Sequence, residues 1–323
     1  MTKRAFITGA SECVGHYLVE SLIQKTDYEL YLLVRDRSKL KVDTTVRSGI
    51  NVIEGTMQNI DQYRELLGTM NYVVSTAAAW GGTEVTFDTN LHKTVDLFAA
   101  INPAVCERAI YFSTESILDE NNQILPSAGE IGTDYIRSKY ECLEKLENSA
   151  IGDRLITVFP TLVFGGDGNK PYSHLSGGLR EVARYVNLIR WVKGEGSFHF
   201  IHGNDIAQII TKLMTTDDSR LSWDLDNFDF PARLVLGQSK VTVNQAIAEA
   251  CAYFQKPIGR WSPQLTLSPW LIDIVIKVFK IQVAEWDRFC INKRHFIHNV
   301  VNPETFGLKS NYPTIASLLT SMK

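Results

Sequence analysis

The stretch from residue 3 to residue 37 constrains the fold of this chain more than any other. An apolar strand at Arg4–Ile7 leads into the turn Thr8-Gly9-Ala10-Ser11-Glu12-Cys13-Val14-Gly15. Apolar residues then recur at helical spacing up to Ile23, and Glu29–Val34 is a second continuous apolar run. A strand, a glycine turn and a helix in this order place a pyrophosphate at the positive end of the helix dipole. The sequence therefore predicts a dinucleotide site at residues 8–15, with Thr8, Gly9, Ser11, Glu12, Cys13, Val14 and Gly15 as contacts.

The end of the second strand bears on which dinucleotide would bind. An acidic residue at this place takes the ribose hydroxyls of NAD, whereas an arginine accommodates the additional phosphate of NADP. Here the strand ends in Arg35-Asp36-Arg37. Arg35 and Arg37 favour NADP, and Asp36 leaves NAD as an alternative. Ordinary surface charge on a solvated loop is the structural alternative for the same three residues.

Composition limits the class of protein. A chain of 323 residues that is 45% hydrophobic can bury a large core, either as one α/β unit or as a nucleotide domain with a smaller lobe. A net charge of -3 and a pI of about 6.2 argue against a nucleic-acid partner. The five cysteines form no Cys-x-x-Cys pair, and no uncharged apolar stretch is long enough to span a membrane. Together with the immediate start of the first strand, which leaves no room for a signal peptide, these features predict a cytoplasmic protein.

An alternation of strands and helices continues along the first half of the chain. Strands are predicted at 51–54, 72–76, 109–112 and 155–159, and helices between them at 59–68, 86–100 and 133–149. Apolar strands separated by helices predict a Rossmann-type, doubly wound parallel α/β sheet. Beyond a turn-rich loop the pattern changes to short strands at 198–201 and 234–236 with helices at 205–214 and 243–254. We therefore predict a nucleotide domain at 1–165 and a smaller, partly interleaved substrate lobe at 166–323, with about 195–225 returning to the nucleotide domain.

The strongest chemical signal is Tyr135-Ile136-Arg137-Ser138-Lys139. A tyrosine and a lysine four residues apart lie on one helical face, so both side chains can reach one cleft. The ammonium of Lys139 is expected to lower the pKa of Tyr135 and make it an acid–base group. About twenty residues upstream, at a predicted strand end, stands Ser113-Thr114-Glu115-Ser116. A hydroxyl there can bind a substrate carbonyl while the tyrosine transfers a proton, as a carbonyl reduction requires.

With these residues the sequence resembles the extended short-chain dehydrogenase/reductases, in their NAD(P)-dependent epimerase/dehydratase branch. The resemblance covers residues 3–210 clearly and the remainder loosely. Besides the glycine turn it rests on four segments in the family's order, namely Val74-Ser75-Thr76-Ala77-Ala78, Asn90 to Thr94, Phe159-Pro160-Thr161-Leu162-Val163-Phe164-Gly165 and Ile201-His202-Gly203-Asn204-Asp205-Ile206-Ala207.

The resemblance implies roles for the matching positions. Thr114 would take the catalytic Ser/Thr place in preference to Ser113 or Ser116, and Tyr135 the acid–base place. Lys139 would also hold the nicotinamide ribose, and Tyr135 and Lys139 are therefore both catalytic and cofactor-binding candidates. The remaining cofactor contacts would be Ala77, Ala78 and Asn90 together with Pro160 and Val163 beside the nicotinamide.

Three departures from the family pattern are informative. Glu12 stands in place of the middle glycine of Thr-Gly-x-x-Gly-x-x-Gly, where it either crowds the pyrophosphate or turns to solvent. Gly55-Thr56-Met57 lacks the carboxylate of the family's Gly-Asp-Leu. The dehydratases carry Thr-Asp-Glu at the active strand, where this chain has Thr114-Glu115-Ser116, so the final carboxylate is missing and dehydration is disfavoured.

The leading hypothesis is an NADP-dependent oxidoreductase that acts on a carbonyl or alcohol carbon of a small substrate. Tryptophans and aliphatic residues after position 260 suggest that the substrate is largely apolar. The first alternative is a sugar-nucleotide epimerase, whose diphosphate would need one of Arg180, Arg184, Arg190 and Arg233.

The second alternative is a non-catalytic nucleotide-binding scaffold or a peripheral membrane protein. It would use an apolar helix expected at 270–281. The sequence leaves open whether the protein forms a homodimer. We expect no metal site, because His199 and His202 would face opposite sides of a strand and His295 and His298 have no evident third ligand.

Overall fold

A computed structural model describes residues 2–216, 229–259, 263–267 and 284–321 of the chain. Its strands are β1 Arg4–Thr8, β2 Glu29–Val34, β3 Ile50–Glu54, β4 Tyr72–Ser75, β5 Arg108–Phe112, β6 Leu155–Pro160, β7 Leu162–Phe164, β8 Val192–Gly194, β9 Ser197–Phe198, β10 Phe200–His202, β11 Ala232–Leu236, β12 Val241–Thr242 and β13 Leu265–Leu267. Seven of them form one parallel sheet in the order β11-β6-β5-β4-β1-β2-β3. The predicted Rossmann-type α/β fold is confirmed.

The helices follow the strands as the alternation predicts. They are α1 Cys13–Lys25, α2 Arg64–Leu67, α3 Thr83–Phe87, α4 Lys93–Ala99, α5 Pro126–Glu130, α6 Asp134–Glu147, α7 His174–Ile189, α8 Gly203–Thr215, α9 Val243–Tyr253, α10 Glu285–Lys293 and α11 Ile315–Ser321. The helix expected at 59–68 is mostly a 3-10 turn, Met57–Tyr63, before α2. The helix expected at 86–100 is interrupted by a π turn at Asp88–His92 between α3 and α4.

The contact between β1 and α1 brings two backbone segments unusually close. A Cβ added at Gly15, in the first turn of α1, would lie 2.1 Å from the carbonyl oxygen of Gly9. Gly9 itself has a φ of +67°, which a glycine adopts without strain. Both glycines are therefore required by the geometry of the turn.

Segments from the second half of the chain complete the nucleotide-binding half. The helix α8 packs against α1 in the main apolar core, and β11 adds a parallel strand beside β6 at the sheet edge. The buried carboxylate of Asp205 on α8 accepts hydrogen bonds from Gln238 Nε2 at 3.0 Å, Ser310 Oγ at 2.5 Å and the backbone of Asn311 at 2.9 Å. Asp205, in one of the family-like motifs, thus ties the C-terminal segment to the core.

The apolar helix expected at 270–281 lies outside the described residues, and the division into domains stays a prediction. Among the helices in the described ranges, none combines the length and the apolar character that crossing a bilayer requires.

The close contact at the turn predicts that Gly15→Ala destabilises the protein. The added methyl group overlaps the backbone of Gly9, and such overpacking costs about 1–3 kcal/mol. Gly177→Ala is the control, because a Cβ at this helical glycine meets nothing within 4 Å. Urea unfolding should show a lower midpoint for Gly15→Ala and an equal or higher midpoint for Gly177→Ala. Equal midpoints in both variants would contradict the role given to the turn.

Candidate active site

A cleft opens at the carboxyl ends of the central strands, on the side of β1 to β4. Its volume is about 150 Å³. Seven of the residues predicted to bind a cofactor line it, namely Thr8, Gly9, Ser11, Glu12, Arg35, Ala77 and Ala78. Thr56 and Gly55 also line it, at the place where the family carries an additional carboxylate. The structure thus brings the turn after β1 and the ends of β2 and β4 around one cavity.

The glycine turn is packed tightly against the segment that follows β4. A Cβ at Gly9 would lie 2.6 Å from Thr76 Oγ1 and 2.8 Å from the amide nitrogen of Ala77. The turn therefore lies directly against the end of β4, and no side chain fits between them. A cradle of this kind fits the close backbone approach that a pyrophosphate needs.

Cys13, Val14 and Gly15 belong to the first turn of α1 rather than to the cleft wall. The thiol of Cys13 is buried near Gly165, where an added Cβ would lie 2.8 Å from the sulfur, and burial raises its pKa to about 12. The side chain of Cys13 therefore points into the core, and only the backbone of this residue lies near the cofactor cleft. Arg37 is exposed, at the start of the 3-10 turn Arg37–Lys39.

The carboxylate of Glu12 is paired with Arg35 beside the glycine turn. Its Oε1 accepts a hydrogen bond from Arg35 Nη2 at 2.8 Å, so the two residues form an ion pair at the mouth of the cleft. Asp36, by contrast, is engaged within its own loop, where its Oδ1 accepts from the backbone of Ser38 at 2.9 Å and from Ser38 Oγ at 2.6 Å.

Asn90 and the segment after β6 are predicted cofactor contacts that hold neighbouring backbone in place. Asn90 is fully buried, and its amide binds the backbone N–H and carbonyl of Ala79 at 2.8 and 3.0 Å. Asn90 thus positions the loop after β4. Pro160 ends β6, and Val163 lies in β7, which pairs with β10 and so places two family-like motifs side by side.

Tyr135 and Lys139 lie on the same face of α6, as predicted. Lys139 is only 2% exposed, and its Nζ donates a hydrogen bond of 2.7 Å to the carbonyl of Phe112 at the end of β5. The same Nζ is 5.9 Å from the centre of the Tyr135 ring. The helix therefore holds both groups at the carboxyl edge of the sheet.

The expected lowering of the Tyr135 pKa is wrong. Burial raises the pKa of Tyr135, and the negative charge of Glu115 raises it further. Burial also lowers the pKa of Lys139, to about 8, because the ammonium is removed from water. Desolvation is thus the largest influence on both groups, and Tyr135 holds its proton at neutral pH.

Glu115 is a functional candidate that the sequence analysis treated only as a departure from the family pattern. Thr114, predicted to be catalytic, is buried and donates a hydrogen bond from its Oγ1 to Glu115 Oε2 at 3.2 Å. Burial raises the pKa of Glu115 to about 7, although the hydrogen bond from Thr114 opposes this shift. The signal in the sequence was a lone carboxylate between Thr114 and Ser116 at a strand end.

Trp80 is a second residue that sequence reasoning missed. Its indole stacks on the ring of Tyr135 with a centroid distance of 4.8 Å and an interplanar angle of 24°, and it meets His174 edge-on at 5.9 Å. The side chain is nevertheless 59% exposed, and Gly81 and Gly82 follow it with positive φ angles of 133° and 95°. A tryptophan before two glycines, directly after Ala77-Ala78-Ala79, was the available signal.

Of the arginines considered for a diphosphate, Arg233 is engaged elsewhere. Its Nε and Nη2 donate to the carboxylate of Glu147 at 2.6 and 2.7 Å. Arg190 donates to the carbonyl of Pro257 at 3.4 Å, and the side chain of Arg180 lies outside the described part. Within the described residues, no three His, Cys, Asp or Glu side chains are close enough to hold a metal ion.

The fold and the cleft define the class of Rossmann-type α/β proteins. Residues 5–223 match the NAD dependent epimerase/dehydratase family, and the chain belongs to this family of enzymes. The comparison with curated proteins gave no match.

Solved structures of the same fold share little sequence with the chain. The crystal structure of gox2253 shares 16% sequence identity with this chain at a TM-score of 0.70, and the match covers 100% of both chains. The Bordetella bronchiseptica enzyme WbmG, in complex with NAD and UDP, is 13% identical with a TM-score of 0.66 and covers 99% of this chain and 94% of its own. UDP-glucuronic acid 4-epimerase from Bacillus cereus is 14% identical with a TM-score of 0.64, over 98% and 97% of the two chains.

The raised pKa of Glu115 predicts a pH-dependent stability difference. Between the ordinary value of 4.5 and about 7, the folded protein holds a proton that the unfolded chain releases, so this group lowers stability as pH rises through that range. Glu115→Gln should therefore be more stable than the parent at pH 8, by about 1–3 kcal/mol, and close to it at pH 4.5. Urea unfolding at the two pH values measures this. Glu141→Gln, at an exposed site on α6, is the control, and a pH-independent difference for Glu115→Gln would contradict the shift.

Proposed function

We propose that the protein is an NADP-dependent oxidoreductase that transfers a hydride between the nicotinamide and a carbonyl or alcohol carbon of a small, largely apolar substrate. The observation that carries the proposal is the grouping of Thr114, Tyr135 and Lys139 at the end of β5. Lys139 Nζ binds the carbonyl of Phe112, two residues before Thr114, and lies 5.9 Å from the centre of the Tyr135 ring. Trp80, which stacks on Tyr135, directly follows the alanines of the cleft wall. When bound, the nicotinamide supplies or accepts the hydride.

The side chains of the chain handle the proton and the oxygen. Thr114 binds and orients the substrate oxygen, for which its single hydroxyl proton turns from Glu115 to the substrate, and Tyr135 transfers the proton to or from that oxygen. The raised pKa of Tyr135 keeps the hydroxyl protonated at neutral pH, which suits a proton donor in carbonyl reduction. Lys139 holds the nicotinamide ribose. Its Nζ would then donate a hydrogen bond to the ribose in addition to, or in place of, the one it donates to the carbonyl of Phe112.

The preference for NADP is supported by the charges at the end of β2. Arg35 lines the cleft and Arg37 stands close behind it in the chain. Asp36, which would favour NAD by binding ribose hydroxyls, is hydrogen-bonded to Ser38 instead. NAD remains the alternative cofactor.

An apolar substrate is supported by the aromatic side chains around Tyr135. Trp80 stacks on its ring, and Tyr135 packs against the apolar cluster that contains Trp286 and Phe289, whose rings stack at 5.1 Å. Aromatic faces of this kind favour a substrate that is planar or hydrocarbon-rich beside its carbonyl group.

The alternative is a sugar-nucleotide epimerase, which uses the same three residues. It is supported by structural neighbours that are UDP-glucuronic acid 4-epimerase and UDP-glucose 4-epimerase. The engagement of Arg233 by Glu147 weighs against it, since that guanidinium is already paired. Cofactor use separates the two activities, because a reductase consumes one NADPH per product and an epimerase leaves the nucleotide unchanged.

The proposal includes a cytoplasmic location, because all five cysteines are free. A homodimer and a peripheral contact with a membrane stay predictions from the sequence. The scaffold alternative would require that the protein bind a dinucleotide without any turnover.

The acid–base role of Tyr135 predicts the loss of turnover in Tyr135→Phe. Removing the hydroxyl should lower kcat by about 10²–10⁴-fold with dinucleotide binding retained. The assay follows NADPH absorbance with a panel of apolar aldehydes and ketones. Tyr140→Phe, in the next turn of α6, is the matched control and should keep its activity. Full turnover in Tyr135→Phe would remove the proposed mechanism.

The stacking of Trp80 predicts an effect on substrate selection. Trp80→Ala should raise KM for an aromatic ketone about tenfold and change kcat less, because it removes a stacking surface that is worth about 0.5–1.5 kcal/mol beyond its area. Trp191→Ala, which removes an exposed indole stacked against Arg190, is the control. An unchanged KM across aromatic and aliphatic ketones would count against the apolar subsite.

A further inference from the structure

The ion pair between Glu12 and Arg35 spans the mouth of the cleft. Arg35 Nη2 donates to Glu12 Oε1 at 2.8 Å, with side chains that are 72% and 52% exposed, respectively. The pair links the residue that precedes α1 to the end of β2, and both residues line the cavity described above. A dinucleotide in this cavity lies beside both side chains.

Glu12 pairs with Arg35 and does not use its carboxylate to cap helix α1. It is the N-cap residue of α1, where a carboxylate ordinarily accepts a hydrogen bond from the first free N–H groups of the helix. Its side chain makes no such bond and is turned to Arg35. Among the described residues, Glu12 is also the carboxylate that pairs with Arg35, since Asp36 binds Ser38.

The ion pair of Glu12 and Arg35 interacts differently with the adenosine 2′-phosphate of NADP and with the free ribose hydroxyls of NAD. The phosphate needs the guanidinium as its partner and is repelled by a carboxylate at the same place. A ribose with free hydroxyls is uncharged and can donate to that carboxylate. Glu12 therefore opposes one cofactor much more than the other.

We propose that Glu12 is a residue that determines cofactor specificity: by occupying Arg35, it weakens the binding of NADP(H) relative to NAD(H). This inference rests on the proposed function, because it requires that a dinucleotide bind in this cleft. It means that the preference for NADP is smaller than Arg35 alone would produce, and that the 2′-phosphate must displace Glu12 to reach its partner.

The test is a titration of Glu12→Gln with NADPH and with NADH, followed by quenching of tryptophan fluorescence. The variant keeps the size of the side chain and removes its charge. The Kd for NADPH should fall about three- to tenfold, while that for NADH changes little. The difference should shrink in 0.5 M salt, because salt shortens the Debye length and screens the interactions between exposed charges. Glu65→Gln removes the same charge at an exposed position outside the cleft and should leave both affinities unchanged.

A double-mutant cycle tests whether Glu12 acts through Arg35. In the Arg35→Gln background, Glu12→Gln should improve NADPH binding much less than it does in the parent protein. An equal effect on NADPH and NADH, or no effect on either, would overturn the inference while leaving the proposed function intact. Failure of the parent protein and of every variant to bind either nucleotide would instead refute the proposed function, and the inference with it.

Discussion

The close approach of the β1 and α1 backbones at Gly9 and Gly15 is the constraint from which the geometry of the site follows. With no side chain between them, the start of α1 lies directly over the carboxyl edge of the sheet. The helix then carries Tyr17, whose hydroxyl accepts a hydrogen bond of 3.1 Å from the backbone of Gly166 in the loop after β7. One contact between two glycines therefore positions both the turn that lines the cleft and, through Tyr17, the loop after β7.

Burial is the dominant electrostatic effect around the acid–base residues. Tyr135, Lys139 and Glu115 are each shifted toward their neutral forms, and for each of them desolvation is the largest cause. The pKa values of Lys139 and Glu115, about 8 and about 7, are therefore close to each other and to neutrality. A pKa near neutrality lets a group take up or release a proton close to the working pH, which suits acid–base chemistry.

The sequence was sufficient for features that depend on local pattern. The glycine turn, the alternation of strands and helices, and the shared face of Tyr135 and Lys139 follow from spacing alone, and the structure has them. Trp80 on Tyr135, Glu12 on Arg35 and the burial of Glu115 depend on side chains that approach across different elements. Spacing does not encode such contacts or the burial they produce. The predicted sign of the Tyr135 pKa shift was wrong because the charge of Lys139 was visible in the sequence and the desolvation of Tyr135 was not.

The place of β11 has a consequence for how the chain becomes structured. This strand, Ala232–Leu236, forms the outer edge of the central sheet, more than seventy residues after β6, with which it pairs. A nascent chain that ends shortly after β6 exposes the unpaired N–H and carbonyl groups of that strand, and an unpaired edge invites pairing with other chains. The nucleotide-binding half therefore cannot complete its sheet during synthesis until the later segment has emerged, which makes the two halves of the chain dependent on each other for folding.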